Sequence, residues 1–175
     1  EARKLPLESN WAELRDQQRL VSKNVPNVGL AVTIDLGEWN DIHPLNKKSV
    51  GDRLALQAEK IAYKQNVIAD GPVYESMKIE GNKIILTFKK GTDNLQPTTD
   101  LKGFSIKGKS GKYEWAKAKI EGNKVVVWNN EIKEPIAVRY DWADNPDGNL
   151  KNKSGLPSSS FTTEKSLVGT TTESC

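Results

Sequence analysis

Apolar and polar residues alternate in three different rhythms along this chain. Between Ser9 and Val21 the apolar positions Trp11, Leu14 and the Leu20/Val21 pair fall near helical spacing, with Ser9 or Asn10 available as a cap, so a helix is predicted there. Residues 23–27, which include Pro26, break it. Residues 28–34 are nearly all apolar and predict a strand buried on both faces. Residues 44–66 return to a helical stripe through Val50, Leu54, Ala58, Ile61 and Ala62, with Asn46 and Ser49 as candidate caps. From Gly71-Pro72 onward the rhythm changes again, to short β-branched and aromatic runs punctuated by glycine and asparagine.

Two near-copies stand out in that last region. Lys78-Ile79-Glu80-Gly81-Asn82-Lys83 recurs as Lys119-Ile120-Glu121-Gly122-Asn123-Lys124, each followed by an apolar run. A Gly-Asn pair suits a two-residue turn with positive φ, so both copies predict β-hairpins. Two copies are too few for a stacked repeat array. Residues 101–106 and 136–140 add further strands, with residues 107–111 read as a turn, and six or seven strands at regular spacing predict a β-sandwich. Trp115, Trp128 and Trp142 fall at strand-like positions and are expected in the core before any role in sugar stacking. Residues 144–157 are dense in turn formers and predict an irregular return loop or surface coil.

The first 70 residues thus offer a helix, one strand and a helix. A single strand forms no sheet, so this piece is expected to be completed by strands that lie outside the sequence. The predicted fold class is α/β plus all-β: residues 1–70 as the carboxyl-terminal piece of an α/β domain, residues 71–165 as a β-sandwich-like antiparallel domain, and residues 166–175 as a disordered tail.

Composition narrows the function classes. The net charge of +3 is spread evenly over interspersed lysines and acids, which gives no concentrated surface for nucleic acid. No apolar run approaches the roughly 20 residues that span a bilayer, and no membrane partner is expected. One cysteine, Cys175, makes no internal disulfide, and a single histidine makes a protein-only zinc site implausible, so neither metal nor cofactor is expected. Lys89-Lys90 and Lys107/Lys109 read as solvated turn charges that blunt strand edges.

The candidate chemistry sits after the predicted strand, in Ile34-Asp35-Leu36-Gly37-Glu38-Trp39-Asn40-Asp41-Ile42-His43-Pro44. Loops at the carboxyl ends of strands are where open α/β sheets build their sites. An imidazole there is suited to moving a proton between a nucleophile and a leaving group, its unperturbed pKa of about 6.5 lying near working pH. The nucleophile is missing. No serine occupies a Gly-x-Ser-x-Gly elbow or follows a Gly-Asp or Gly-Gln pair after a strand. Taken alone, the chain reads as half of an active site.

These residues carry a resemblance. Asp35-Leu36-Gly37-Glu38, Asn40-Asp41-Ile42-His43-Pro44 with Asn46-Lys47, and Val50-Gly51-x-Arg53-Leu54-Ala55 resemble the final catalytic block of the sialate O-acetylesterases, a branch of the SGNH-type esterases. The likeness continues through residues 77–83, Leu101-Lys102-Gly103-Phe104, Val138-Arg139-Tyr140 and Trp142-Ala143-Asp144-Asn145-Pro146, to Asn149-Leu150 and Gly155-Leu156-Pro157. It runs from about Trp11 to Phe161. It implies the terminal part of a three-layer SGNH-type domain, with the serine, a glycine and an asparagine contributed by earlier blocks absent here.

The implied reaction is acyl transfer from an O-acetylated sialic acid or related glycan, with His43 as general base and acid. The implied partner is the missing amino-terminal part, and the implied location is the periplasm or the outside of the cell. Related esterases place an aspartate three residues before the histidine; here that position is Asn40, and Asp41 stands two before. Asp41, Asp35 at the strand end, or no carboxylate at all are the three ways of orienting the imidazole. Trp39, Glu38 and Asn40 are expected at the pocket mouth, and Arg139 as a partner for an acidic sugar. A non-catalytic carbohydrate-binding or scaffolding β-module and an acetyl-xylan esterase fragment are the alternatives, and the isolated chain is expected to be inactive.

Overall fold

The computed structural model describes residues 6, 8–41 and 43–164; the expectations for the tail at 166–175, including Cys175, lie outside them. Among the described residues there are two helices, α1 (Asn10–Asn24) and α2 (Lys47–Ile61), followed by eight strands: β1 (Tyr74–Glu80), β2 (Lys83–Phe88), β3 (Phe104–Gly108), β4 (Tyr113–Trp115), β5 (Lys117–Glu121), β6 (Lys124–Trp128), β7 (Pro135–Tyr140) and β8 (Phe161–Thr162). The chain is therefore mixed α/β, with its helices first and antiparallel sheet afterwards.

Both Gly-Asn repeats make hairpins. Glu80 pairs with Lys83 and Glu121 with Lys124, and Gly81 and Gly122 sit at φ of 59° and 60°, the left-handed region that a side-chain-bearing residue pays to enter. The two hairpins then join through β2 and β6 into a sheet of order β1-β2-β6-β5. A second sheet has the order β4-β3-β7-β8. Alternate residues of β2 (Ile84, Leu86, Phe88) point into a core shared with Val125 and Val127 of β6, Phe104 and Ile106 of β3, Val138 and Tyr140 of β7, and Phe161 of β8. Phe161 stacks on Tyr74 at 4.8 Å and on Tyr140 at 5.6 Å, tying the two sheets together at one end.

Several expectations need correction. Lys107 is not a turn lysine: β3 runs on to Gly108, and the Lys107 side chain is largely buried, paired with Glu164 and set over the Tyr113 ring. The three tryptophans do not share one environment, since Trp142 is buried, Trp128 half-buried and Trp115 exposed. The second helix ends at Ile61 rather than Asn66, and Lys64 adopts a left-handed φ of 55° just beyond it.

The helices form where the caps predict: Ser9 Oγ accepts from Ala12 N, and Asn46 Oδ1 accepts from Ser49 N. Their apolar stripes, however, face outward. On α1, Trp11, Leu14 and Val21 are exposed, while Ala12, Asp16 and Arg19 are buried, the last two as an ion pair at 2.7 Å. On α2, Leu54 is exposed and Gln57 is buried.

Residues 28–34 likewise differ from the expected doubly buried strand. They form no ladder, and Val28 is exposed. No partner strand lies alongside among the described residues, so side chains of α2 hold the segment instead. Gln57 Nε2 donates to Leu30 O at 3.1 Å and Arg53 Nη1 to Val32 O at 2.6 Å.

Candidate functional site

The loop that follows this segment is anchored at its root by Asp35. Arg53 grips the carboxylate with two nitrogens, Nη1 to Oδ1 at 2.6 Å and Nη2 to Oδ2 at 3.1 Å, and Lys151 adds Nζ to Oδ2 at 2.8 Å. Partial burial pushes the Asp35 pKa up, but the hydrogen bonds and charges of Arg53 and Lys151 outweigh it and hold the carboxyl below its usual range. Asp35 thus links α2, the loop and the return loop after β7. Of the three ways to orient His43, it is the one whose carboxylate is already committed elsewhere.

Asp41 is placed differently. A bridge between Glu38 and Asp41 closes the loop tip, and Asp41 Oδ1 accepts the backbone N–H of His43 at 2.8 Å while lying 3.3 Å from His43 Nδ1. One carboxylate oxygen therefore fixes the backbone of the histidine and meets its ring. The contact leaves Nε2 facing away from the carboxylate, the geometry that a base braced at its other nitrogen requires. The ring itself is 81 % exposed and Asp41 44 %.

Beside this pair lies a hollow of about 510 Å³, lined on one side by Asp35, Gly37, Glu38, Trp39 and Asn40 and on the other by Asp141 and residues 145–148. All three residues expected at the pocket mouth, Trp39, Glu38 and Asn40, line it; His43 and Asp41, next along the chain, are not part of its lining. Asp141 and Asp147 were not singled out from the sequence. Asp141 adopts a left-handed φ of 50° at the end of β7, which turns its side chain into a niche between Gly103 and Gly148. A Cβ on Gly148 would fall 1.9 Å from Asp141 Oδ1, so only glycine allows the carboxylate in. Asp141 is 2 % exposed, its carboxylate shut away from solvent beside the Tyr140 hydroxyl and the Gly148 amide. Burial pushes its pKa up to about 7, against the pull of the nearby Tyr140 hydroxyl, the Gly148 amide and the Arg15 charge.

Arg139, expected as a receptor for an acidic sugar, is engaged elsewhere. Its guanidinium pairs with Glu8 at 2.8 Å and is packed between the rings of Tyr113 and Trp142 at 4.2 and 4.6 Å. Among the described residues, no group of three or more histidine, cysteine or acidic side chains is placed to hold a metal ion, and no helix is long and apolar enough to cross a membrane.

No protein-family model matches the chain. A curated sialate O-acetylesterase from Mus musculus is 26 % identical over 149 residues, covering 79 % of this chain and 28 % of that protein. A crystal structure of a carbohydrate acetylesterase from Xanthomonas citri superposes with a TM-score of 0.71 at 39 % identity, over 74 % of this chain and 31 % of that one. The chain thus spans about three tenths of the length of each relative. The chain is similar in sequence to a sialate O-acetylesterase and in structure to a carbohydrate acetylesterase, which supports a sialate O-acetylesterase-like esterase family.

Proposed function

We propose that this chain is the histidine-bearing, carboxyl-terminal part of a carbohydrate O-acetylesterase, with residues 1–70 belonging to an SGNH-type domain and residues 71–165 forming a β-sandwich-like module behind it. The observation that carries the reading is the Asp41–His43 pair, held by one carboxylate oxygen and exposed to solvent directly after the loop residues that line one side of the hollow. His43 takes the proton of a serine supplied by the completing segment as that serine attacks the acetyl carbonyl, and gives it to the sugar oxygen that departs; it then takes a proton from the water that releases acetate from the acetyl-serine and returns it to the serine. Asp41 orients the ring and stabilises its protonated form.

The outward apolar stripe of α1 and the unladdered residues 28–34 support a completing segment, because both present surface that a neighbouring layer would cover. The exposure of the imidazole fits the same reading, since a nucleophile must approach it from outside this chain.

The test is acetate release from p-nitrophenyl acetate by the chain joined to its serine-bearing segment. His43→Ala is expected to lower the rate by about 10²- to 10⁴-fold, the usual contribution of a positioned acid-base group. Asp41→Asn is expected to lower it less. The 175-residue chain alone is expected to release no more acetate than its own His43→Ala variant. Undiminished activity of His43→Ala in the joined protein would overturn the catalytic role; His43-dependent turnover by the chain alone would overturn the need for a second segment.

A further inference from the structure

The histidine loop is tied to the rest of the chain at its root. At its tip, the Glu38–Asp41 bridge and the two contacts of Asp41 with His43 are internal to the loop. At the root, Asp35 meets two cations from different parts of the molecule. Arg53 belongs to α2, which follows the loop directly, whereas Lys151 lies 116 residues away in the return loop of the β-sheet part.

The mounting of Lys151 is stiff. Leu150 before it is buried in the core that the two sheets share, and its N–H donates to the Tyr140 hydroxyl at 2.9 Å. Asn152 after it is buried too: Oδ1 accepts the N–H groups of Ser154 and Leu156, and Nδ2 donates to Asp70 O at 2.9 Å. The carbonyl of Lys151 accepts Gln96 N at 2.8 Å. Asp70 carries the tie further, since Gln57 Nε2 donates both to Asp70 Oδ1 at 3.0 Å and to Leu30 O at 3.1 Å. Two adjacent residues of the return loop therefore hold the histidine region: Asn152 reaches residues 28–34 through Asp70 and Gln57, and Lys151 reaches the loop that follows them. Upstream in the same return loop, the Asp141 carboxylate packs against Gly148 and seats the stretch that forms the far wall of the hollow.

We infer that Lys151 is a positioning residue for His43: by gripping Asp35 from the β-sheet part, it sets where the imidazole stands relative to the wall formed by residues 145–148. That role rests on the esterase reading for the reaction that His43 serves, though the strut itself does not. The Lys151 and Asp35 side chains are 33 % and 16 % exposed, so the pair is a modest source of stability, but it has a defined length and two fixed ends. Because the contacts beyond the root are internal to the loop, a displacement of Asp35 is carried to the imidazole. A misplacement of about 1 Å costs a reaction up to about 100-fold in rate. The β-sheet part thereby shares in catalysis without touching the reacting atoms.

The test compares Lys151→Met with Lys151→Arg, and with Lys153→Met at an exposed lysine two residues on as the control. In the chain joined to its serine-bearing segment, Lys151→Met is expected to lower kcat for p-nitrophenyl acetate about tenfold, with KM within about twofold of wild type. Lys151→Arg, which returns a cation to Asp35, should recover most of the loss, and Lys153→Met should lose nothing. In the 175-residue chain alone, 15N relaxation of the Gly37 and Trp39 amides should report added motion in Lys151→Met, as a lowered heteronuclear NOE or as exchange broadening, and none in Lys151→Arg. A kcat that Lys151→Met leaves unchanged, a loss that arginine does not restore, or a loss confined to KM overturns the positioning role. Unaltered relaxation at Gly37 and Trp39 overturns the strut. Should His43→Ala itself leave turnover intact, the esterase reading falls, and the relaxation measurement alone decides whether Lys151 holds the loop.

Discussion

Asp141 and Asp41 show how far two aspartates in one site can diverge. Asp41 is solvated and bonded to its neighbour two residues on, a relation readable from the spacing Asp-x-His. Asp141 depends on Gly103 and Gly148 giving way to its carboxylate and on a left-handed backbone, none of which leaves a local pattern. Its energetic consequence is testable. Because burial lifts its pKa from 3.8 to about 7, the folded state holds the proton that the unfolded state has lost, and the stability this provides is full below about pH 4 and is lost as pH rises through about 7. Asp141→Asn removes the titration and keeps a residue that tolerates left-handed φ. Thermal or urea unfolding is expected to show the variant close to wild type at pH 4 and more stable at pH 8, by up to about 4 kcal/mol. A difference that does not change with pH would mean that the carboxyl is ionised in the fold throughout.

Among the elements, the hairpins were the most legible in sequence, since a Gly-Asn pair between apolar runs specifies its turn locally. Gly122 at φ 60° has nothing within 4 Å of a Cβ position, so Gly122→Ala meets no neighbour and its cost is the backbone alone. A loss of about 1 kcal/mol in urea unfolding is expected, with Gly122→Asn losing less. The helices were legible by cap and stripe, but not by which face is buried. On α1 the buried side is polar: Arg19 and Asp16 pair there, and Arg15 reaches Ser160 and the carbonyls of Asp141 and Ala143. An apolar stripe read from sequence does not say which face packs on the rest of the chain, and on this helix Trp11, Leu14 and Val21 are exposed. The short strands β4 and β8 and the β3 extension through Lys107 carried too few residues of pattern to be read. Arg53 is the element-scale test of the loop. Arg53→Met takes away its hydrogen bonds to Val32 O and Asp35, leaving Asp35 with Lys151 alone, and is expected to raise the Asp35 pKa measured by carbon-detected NMR titration, because the largest opposing influence on its burial is removed.

At the scale of the molecule, the two sheets and the helical part differ in how their backbone is satisfied. The sheets pair strand to strand around a closed apolar core, whereas residues 28–34 rely on Gln57 and Arg53 side chains for hydrogen bonds that a ladder would otherwise supply. Opening a segment of that kind costs only its few contacts, while opening β2 or β6 costs the core. Amide hydrogen exchange on the isolated chain is therefore expected to be fast across 28–41 and slow, near the global unfolding limit, at Leu86, Val125 and Val127, the fully buried residues of the two central strands. Joining the serine-bearing segment should slow exchange at 28–34 by at least about tenfold, as neighbouring strands occupy its free N–H and C=O groups, and leave the sheet amides unchanged. Exchange at 28–34 that is already slow in the isolated chain, or unaltered in the joined protein, would show that this segment is complete as it stands and that the completing layer does not pair with it.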